Sequence, residues 1–512
     1  MVQLNRKSLF KVSGLAIAST MTLPLNNIFA EETKRTLDKP NVILIMADDM
    51  GYYDMGRYNQ PDCYSKKKLS YPSLTPNLDK MAEKGVIFTD YHSNGAACTP
   101  TRAALLTGMY QQRTGLSGIP TARDKGIKHK DEGIPDKFST MGSIFKKSGY
   151  KTGIYGKWHL GYYEKYHPTN RGFDEFKGFI SGNIDYHTHV DMAGDFDWWQ
   201  KNKLENEKGY VTKLITDHSI NFIEKNKDKP FLLYVSHAAP HFPTAGPYEP
   251  GAIKRKNKRR EPGKRQRKPK RMDWRTGEKM SEADAEAFVK DIHDSIPTAP
   301  TSYKSRGDSY DDAVLSMDDG IGRIIKKLDE LKIADNTIVF FCSDNGSYGK
   351  QLPFRSIKGN TYEGGHRVPA VAYWPGKIKP DAISNEIIMS MDLLPTFASM
   401  CGINISEKLD GIDVSSNLLY GKKIPSRNLF WQYGVLTAMR MGNWKMVNGK
   451  ELYDLKNDIG ERKDLSKDNP EIINKMALEY QEWYTEVSSG VKQIGKSPKI
   501  KSKKNIKNKK NK

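Results

Sequence analysis

Apolar residues along the chain follow two alternating patterns. The first is a short continuous run, typical of a strand that is buried on both faces of a sheet. Such runs occupy residues 41–46 (NVILIM), 153–155, 231–235 (FLLYV), 337–342 (TIVFFC) and 368–373 (VPAVAY). The second repeats every three or four residues, as in 312–331, and predicts amphipathic helices. Their alternation predicts an α/β fold with a large, mostly parallel sheet flanked by helices.

The last hundred residues have a different pattern. Residues 436–447 and 451–455 are short strand-like segments joined by Asn448-Gly449, a hairpin turn signal, and 470–487 has a helical pattern. We therefore expect a C-terminal subdomain at 426–490, made of a small antiparallel sheet and a packed helix, after a main domain at 31–425. The Lys-rich tail at 491–512 has no core-forming residues and is predicted to be disordered.

The positive charge of the chain is concentrated in two runs. Lys and Arg number 82 against 61 Asp and Glu, a formal net charge of +21. Residues 254–271 carry +11 and residues 492–512 carry +10, so the remainder sums to zero. A neutral body argues against nucleic-acid binding, which basic composition would otherwise suggest. The first run is predicted to be an exposed insertion. Both runs could attract a polyanion or could simply be solvated.

The N-terminus resembles a secretory signal peptide. Arg6, Lys7 and Lys11 precede a weakly apolar stretch at 12–25, and Ala30 offers a small residue before two acids. We expect a signal peptide at 1–30, cleavage after Ala30, and a periplasmic or secreted protein without a stable membrane anchor. The alternative is an ordinary N-terminal helix.

The four cysteines are too few for a disulfide scaffold. Cys342 lies in an apolar run and is predicted to be a buried thiol. Cys63 and Cys401 could pair, but their spacing leaves this open. Cys98 has a more informative setting.

Polar residues with metal-binding or catalytic chemistry follow two predicted strands and open one helix. Asp48-Asp49 comes directly after the 41–46 strand, and Asp344-Asn345-Gly346 follows the 337–342 strand. Oxygen ligands of this kind suit Ca²⁺ or Mg²⁺, although each segment alone could be an acidic turn. Cys98 precedes Pro100 and Arg102, which favours a helix N-terminus and an oxyanion site; a plain nucleophilic cysteine fits equally well.

Taken together, these segments resemble those of the formylglycine-dependent (type I) sulfatases of the alkaline-phosphatase-like superfamily. The resemblance rests on Cys-x-Pro-x-Arg at 98–102 followed by AALLTG. Five further motifs occur in family order: 41–51 (NVILIMADDMG), 156–161 (GKWHLG), 237–243 (HAAPHFP), 343–346 (SDNG) and 355–369 (RSIKGNTYEGGHRVP). Thr101 replaces the commoner serine and keeps the hydroxyl. The chain also resembles bacterial polysaccharide sulfatases, and the resemblance implies a sulfatase-like fold.

The resemblance implies that a separate formylglycine-generating enzyme oxidises Cys98 to 3-oxoalanine (Cα-formylglycine). The hydrated aldehyde attacks sulfur with one hydroxyl and expels the alcohol. Its second hydroxyl then loses a proton and sulfate is ejected, a step that an unmodified thiol could not perform. Ca²⁺ would be held by Asp48, Asp49, Asp344, Asn345 and residue 98.

Roles for the remaining motif residues also follow from the resemblance. Arg102 would hold the diol and the metal-site carboxylates, Lys157 and His159 would bind sulfate and the diol, and Lys358 would contact sulfate from the other side. His241 is the predicted general acid toward the leaving sugar oxygen, and His237 is the alternative and a candidate substrate contact.

The substrate is predicted from weaker signals. Asp185, His187 and His189 alternate, so in an extended loop they would share one face and could contact sugar hydroxyls; an incidental surface loop is the alternative. Trp198 and Trp199 could stack on sugars, but core packing is favoured. Export and the basic runs suit a sulfated polysaccharide, such as a carrageenan-like galactan or another glycan, or its oligosaccharides.

Two other functions remain open at this stage. A phosphoesterase of the same superfamily could use a similar metal site. A non-catalytic polyanion-binding protein would explain the basic runs but would leave the six motifs without a role. Oligomeric state, sulfate position and exo or endo action do not follow from the sequence.

Overall fold

The computed structural model describes residues 39–59, 73–120, 132–191, 196–242, 306–349, 351 and 353–498, with side chains of the helix at 306 described from residue 310. The predicted signal peptide, Cys63, the basic run at 254–271 and the tail from 499 onward lie outside these residues. Among the described helices, none combines the length and apolar character needed to cross a membrane.

The strands and helices alternate through the first 400 residues. In chain order the strands are β1 (Asn41–Ala47), β2 (Val86–Phe88), β3 (Tyr91–His92), β4 (Lys151–Lys157), β5 (Glu175–Phe179), β6 (Trp199–Gln200), β7 (Lys203–Leu204), β8 (Phe231–Ser236), β9 (Thr337–Ser343), β10 (Ala370–Tyr373), β11 (Ala382–Ser384), β12 (Ile388–Met389), β13 (Leu429–Tyr433), β14 (Leu436–Met441), β15 (Trp444–Val447) and β16 (Glu451–Asp454). The α-helices are α1 (Pro76–Glu83), α2 (Cys98–Thr107), α3 (Gln111–Thr114), α4 (Met141–Lys147), α5 (Val211–Asn226), α6 (Arg306–Glu330), α7 (Glu363–His366), α8 (Leu393–Met400), α9 (Ser415–Tyr420) and α10 (Pro470–Val487).

A ten-stranded sheet forms the centre, in the order β11-β2-β10-β9-β1-β8-β4-β5-β6-β7. The strands from β9 to β5 run parallel, and β10 and β6 are antiparallel to their neighbours. This confirms the predicted large, mostly parallel sheet flanked by helices. The strand predicted at 368–373 begins at Ala370. It runs antiparallel to β9, and its first residue, Ala370, pairs with Cys342 near the end of β9.

Alternate residues of β1 supply opposite faces of this sheet, as the pleat requires. Ile43 and Ile45 pack with Ile215 and Phe222 of α5 and with the apolar stripe of α6. That stripe includes Val314, Met317, Ile321, Ile324 and Leu328, so the amphipathic helix predicted at 312–331 is confirmed. Val42 and Leu44 pack on the other face with α4 and α8. Burial on both faces explains the continuous apolar run.

The C-terminal strands β13 to β16 form a separate antiparallel sheet, and α10 packs on it, as predicted. Asn448 and Gly449 adopt positive φ between β15 and β16, which confirms the hairpin signal. The segment predicted as one strand at 436–447 is instead two strands, because a turn at Gly442 and Asn443 divides it. The core beneath this sheet includes Ala104 of α2, so the C-terminal sheet packs on the helix that begins at Cys98.

Candidate active site

Strand register gathers the predicted site residues into one row. Ala47 at the end of β1 lies beside Ser343 of β9, Met46 lies beside Ser236 of β8, and Ser236 lies beside Gly156 of β4. The residues that follow these positions are Asp48, Asp344, His237 and Lys157. The carboxyl ends of parallel strands are where α/β sheets bind ligands, so the site is at the expected edge.

The turn after β1 directs both of its carboxylates into the interior. Asp49 has φ of 66°, and its amide donates to Asp344 Oδ1 at 3.1 Å. The Met50 amide donates to Ser343 Oγ at 3.0 Å. An aspartate tolerates this left-handed conformation better than most side chains do. Both ends of the turn are thereby tied to β9, which carries the second acidic segment.

Three buried oxygens in this group accept no hydrogen bond from any described residue: Asp48 Oδ1, Asp49 Oδ2 and Asn345 Oδ1. Leaving such atoms unsatisfied costs about 1–3 kcal/mol each, and more where the group is charged. Asp48, Asp49, Cys98 and His241 also bring one ligand atom apiece within 4.8 Å of one another. Oxygen-rich donors with free lone pairs suit a hard divalent cation, so the residues present fit Ca²⁺.

Arg102 connects the helix of the candidate nucleophile to the acidic segments. Its Nε and Nη2 donate to Asp344 Oδ2 at 3.0 and 2.8 Å, and its Nη2 lies 3.8 Å from Asp48 Oδ1. The side chain is fully buried. Burial and the nearby Asp48 raise the pKa of Asp344 to about 6, although Arg102 opposes this shift. Asp344 therefore faces a second buried carboxylate, and a bound cation would relieve the repulsion between the two.

Cys98 is the first residue of α2 and is buried. Burial raises the pKa of its thiol, but Lys157, Lys358 and hydrogen bonds from His159 and His241 bring it well below the ordinary value. The same positive surroundings would favour any anion at residue 98. Thr101 both accepts from the Gly95 amide and donates to its carbonyl, so its hydroxyl holds the loop before α2.

Two buried lysines approach from different elements. Lys157, at the end of β4, donates to Asp48 Oδ2 at 2.6 Å. Lys358, in the loop before α7, donates to Asp49 Oδ1, and its Nζ lies 3.6 Å from Cys98 Sγ. The ordinary cost of burying an ammonium group is offset here by these carboxylates. Both cations lie where a bound oxyanion would meet them.

The three histidines of the site have different electrostatic surroundings. Burial lowers the pKa of His159 to about 4 and that of His237 to about 3. His241 is only partly buried, and although burial lowers its pKa, Asp49 and Asp48 raise that pKa overall; its Nε2 lies 3.4 Å from Asp49 Oδ2. A histidine held protonated by carboxylates can donate a proton, so His241 suits the predicted general acid better than His237 does.

The loop predicted to contact sugars does not have the extended form on which that prediction depended. Asp185 is buried in a turn and accepts from the amides of His187 and Thr188 at 3.0 and 2.8 Å. His189 is buried, lies 2.9 Å from the Gly209 carbonyl through Nε2, and packs on the Trp198 ring. Asp185 and His189 therefore stabilise the turn, and only the half-buried His187 keeps partial exposure.

The preference for core packing of the tryptophans is confirmed. Trp198 and Trp199 are both buried. Cys342 is a buried free thiol, as predicted, and Cys401 is also a buried thiol.

Sequence reasoning missed Ser236. Its hydroxyl accepts from Arg102 Nη1 and donates to the Lys157 carbonyl at 2.7 Å, so it joins β8 to two predicted site residues. Its position immediately before His237, at the end of a buried strand, was the available signal.

Comparison with known proteins agrees with this geometry. The profile of the family described as Sulfatase matches residues 40–403, and that described as N-sulphoglucosamine sulphohydrolase, C-terminal, matches residues 357–485. Human N-acetylgalactosamine-6-sulfatase is 30% identical over 79% of this chain and 71% of its own length. An arylsulfatase from Hemicentrotus pulcherrimus is 31% identical over 81% of this chain and 68% of its own length.

The crystal structure of Ps i-CgsB is similar throughout, with a TM-score of 0.70, 27% identity, and coverage of 89% of this chain and 95% of that one. Ps i-CgsB in complex with k-i-k-neocarrahexaose gives a TM-score of 0.69 at 26% identity, and the alignment covers 91% of this chain and 96% of that one. Because a family profile matches well over half of the chain, the protein belongs to the sulfatase family of sulfuric ester hydrolases.

Proposed function

We propose that the protein is an exported sulfatase that hydrolyses sulfate esters of a sulfated polysaccharide or its oligosaccharides, with formylglycine at position 98 and Ca²⁺ beside it. The observation that carries the proposal is the placement of Cys98. It opens α2 with its Sγ 3.6 Å from Lys358 Nζ, within the electrostatic influence of Lys157, and a ligand atom of Asp48 and one of Asp49 lie within 4.8 Å of it. An anionic ester and a cation would complement this arrangement.

Asp48, Asp49, Asp344 and Asn345, together with residue 98, would hold the ion. Bound there, Ca²⁺ would offset the charge of the sulfate and favour a deprotonated nucleophile. Arg102 keeps Asp344 in place through two hydrogen bonds to one carboxylate oxygen. Its guanidinium also limits the repulsion between Asp344 and Asp48.

The side chains around residue 98 divide the remaining work. Lys157 and Lys358 bring two positive charges that would bind sulfate oxygens and stabilise charge that develops there. His159, held neutral by burial, would hydrogen-bond the hydrated form of residue 98. His241, held protonated beside Asp49, would donate its proton to the leaving sugar oxygen.

The relatives support a carbohydrate substrate. Human N-acetylgalactosamine-6-sulfatase is named for a sulfated sugar, and Ps i-CgsB binds k-i-k-neocarrahexaose. The signal-like N-terminus is consistent with a periplasmic or secreted location, where such polymers occur. A maturing enzyme would be needed as a partner before the protein becomes active.

Mass spectrometry of the active protein tests the nucleophile. The peptide containing residue 98 should be about 18 Da lighter than its unmodified form, which is the change from a thiol side chain to an aldehyde. Cys98→Ala should release no sulfate, while its folding and calcium content are compared with the wild type. A fully active preparation with intact Cys98 contradicts the proposal.

The substrate class is tested by sulfate release from a panel of sulfated oligosaccharides, with each product analysed for position. The same preparation is offered matched phosphate esters. Release of sulfate but little phosphate supports the proposal, and the reverse would identify a phosphoesterase of the same superfamily. Binding of the oligosaccharides without release, unchanged by Cys98→Ala, would identify a polyanion-binding protein.

A further inference from the structure

Tyr348 and Tyr433 flank the loop that carries Lys358, and no catalytic role described above uses them. We propose that these two tyrosines hold the sugar ring that bears the reacting sulfate, so that the C-terminal sheet supplies part of the substrate site. The inference rests on the proposed function, because it names the part of that site that would select a sulfated sugar.

Tyr348 lies close to the reacting residue yet remains open to solvent. It is 57% exposed, whereas nearby Asp344, Asn345 and Ser347 are buried. Lys358 Nζ lies 5.2 Å from the centre of its ring and 3.6 Å from Cys98 Sγ. The centre of the ring is therefore within about 9 Å of Cys98 Sγ, a distance that a sulfate group and the sugar attached to it can span.

Tyr433 reaches the same loop from the C-terminal sheet. It ends β13 and pairs with Leu436 of β14 across a tight turn in which Gly434 has φ of 58°. Its Cε1 lies 3.7 Å from the point where a side chain on Gly359 would begin, and Gly359 follows Lys358 directly. A side chain at 359 would therefore begin at ordinary contact distance from this ring, so the ring lies directly against the loop.

The electrostatic environment links both rings to the reacting residue. Burial raises the pKa of Tyr433, and the charges of Cys98, Lys358 and Tyr348 act on it as well. Lys358 and Cys98 likewise act on Tyr348. Among the described residues, neither tyrosine hydroxyl has a hydrogen-bond partner, so both remain available to a ligand.

Both tyrosines suit a sugar ring for the same chemical reason. A sugar presents apolar C–H faces and polar hydroxyl edges, and tyrosine offers a flat apolar face with a polar tip. Ligand sites combine such aromatic walls with a few charged groups that fix orientation. Here Lys157 and Lys358 supply the charge, and β13 holds Tyr433 rigidly because Leu429 and Trp431 are buried in the core beneath α2.

The alternative is that Tyr348 only holds Lys358, through the attraction between a cation and an aromatic ring. The chain offers a matched control for that arrangement. Tyr420 in α9 is 71% exposed, and Lys422 Nζ lies 5.7 Å from its ring, but neither residue belongs to the site.

The test measures steady-state sulfate release from k-i-k-neocarrahexaose and N-acetylgalactosamine 6-sulfate, and inhibition by inorganic sulfate, which has no ring. Tyr348→Ala and Tyr433→Ala should each raise KM for the productive sugar about three- to tenfold, with kcat changed less than twofold. The inhibition constant of inorganic sulfate should not change. Tyr348→Phe and Tyr433→Phe keep the ring and lose only the hydroxyl, so their KM values should lie between those of the alanine variants and the wild type. Tyr420→Ala should stay within twofold of the wild type, and melting temperature and formylglycine content are measured for every variant.

Unchanged KM in both alanine variants overturns the inference. Equal weakening of sugar and inorganic sulfate also overturns it, because the tyrosines would then act only by holding Lys358. Failure of the wild-type enzyme to release sulfate from any sulfated sugar, while it cleaves an aryl sulfate, contradicts the proposed carbohydrate substrate instead. The two failures are therefore distinguishable.

Discussion

Two buried groups of charged residues lie on either side of the loop that carries Lys358. We call them the nucleophile cluster (Asp48, Asp49, Asp344, Arg102, Lys157 and Lys358) and the support cluster (Asp90, Glu363, Glu461, Arg367, Arg440 and Lys445). Each contains three carboxylates and three permanent cations, and histidines adjoin both. By residue type and charge they are equivalent.

Their hydrogen bonds separate them. In the support cluster, His92, Glu363 and His366 are close enough to hold a metal, but their ligand atoms already have partners. The Nδ1 atoms of His92 and His366 are 2.9 Å apart, and Glu363 accepts from Lys445 and Arg367 at 2.8 and 3.0 Å. In the nucleophile cluster, Asp48 Oδ1 and Asp49 Oδ2 accept no hydrogen bond from the described residues, and neither does Asn345 Oδ1 beside them. The one such carboxylate oxygen among the described residues of the support cluster, Glu461 Oε1, lies 2.9 Å from the Lys445 ammonium. Free lone pairs, rather than ligand types, indicate which cluster is suited to an ion.

The support cluster has a different consequence for the site. Arg440 of β14 donates twice to Asp90, and Lys445 of β15 meets Glu363 at the start of α7. Glu363 follows Lys358 by five residues. Ion pairs thereby join the C-terminal sheet to the segment that follows the loop of Lys358.

The largest expected effect separates the two clusters by metal content. Asp344→Ala removes a proposed calcium ligand and the partner of Arg102, so turnover should fall about a thousandfold or more. Bound calcium, measured by elemental analysis, should be lost with it. Glu363→Gln is the matched control and should keep its calcium. Asp344→Ala protein that retains both calcium and turnover refutes the metal assignment.

The second effect is on stability. Lys445→Met leaves Glu363 and Glu461 buried without their shared cation, from which they lie 2.8 and 2.9 Å. Removing one partner of a buried ion pair costs about 3–5 kcal/mol, so the free energy of unfolding in urea should fall by that amount. Calcium content of the folded protein should stay unchanged.

Two controls accompany this substitution. Lys475→Met breaks an exposed pair with Glu479 and should cost less than about 1 kcal/mol. Adding Glu363→Gln to Lys445→Met should restore part of the lost stability, because Lys445 holds the pKa of Glu363 well below its ordinary value and Glu363 is left charged and buried without it. Equal stability of Lys445→Met and the wild type would show that the support cluster does not hold the sheet to the loop.

The third effect concerns His241, whose electrostatic surroundings differ from those of the histidines in the support cluster. His241 has a raised pKa beside Asp49, whereas burial lowers the pKa values of His92 and His366. His241→Ala should reduce kcat/KM on a sulfated sugar about a hundredfold, but should affect an aryl sulfate far less, because a phenolate leaves without a proton. His237→Ala should show no such dependence on the leaving group. Equal losses on both substrates would remove His241 from the acid role.

Much of the nucleophile cluster could be predicted from the sequence because its residues follow strands whose apolar runs are unmistakable. Asp48, Lys157 and Asp344 each end or follow a strand of one parallel sheet, and parallel strands align their carboxyl ends. The 98–102 motif added the nucleophile. The unsatisfied oxygens could not be predicted, since they depend on side-chain positions.

The support cluster and the tyrosines were missed for a different reason. Asp90, Arg440 and Glu461 are far apart along the chain and no motif joins them, so only the packing of the C-terminal sheet brings them together. Tyr433 enters the site by the same packing. The turn at Asp185 was not predicted, because alternating polar residues suit both an extended loop and a side-chain-capped turn.

The smallest effect concerns pH. Burial raises the pKa of Glu461 to about 7, with Glu363 adding to the shift and Lys445 opposing it. Because this value lies above the ordinary 4.5, the neutral carboxyl stabilises the fold. That contribution is complete below about pH 4.5 and is lost as pH rises through about 7.

Glu461→Gln keeps a neutral side chain at every pH. The free energy of unfolding of this variant, relative to that of the wild type, should therefore rise by roughly 1–3 kcal/mol between pH 5 and pH 8. Urea titrations with saturating calcium at both pH values measure this difference. Glu363→Gln should share only part of the gain, because it removes the contribution of Glu363 to the raised pKa of Glu461 and leaves the larger contribution of burial. Parallel pH profiles for Glu461→Gln and the wild type would mean that Glu461 stays charged throughout this range. The three carboxylates of the support cluster would then neutralise its three cations at every pH tested.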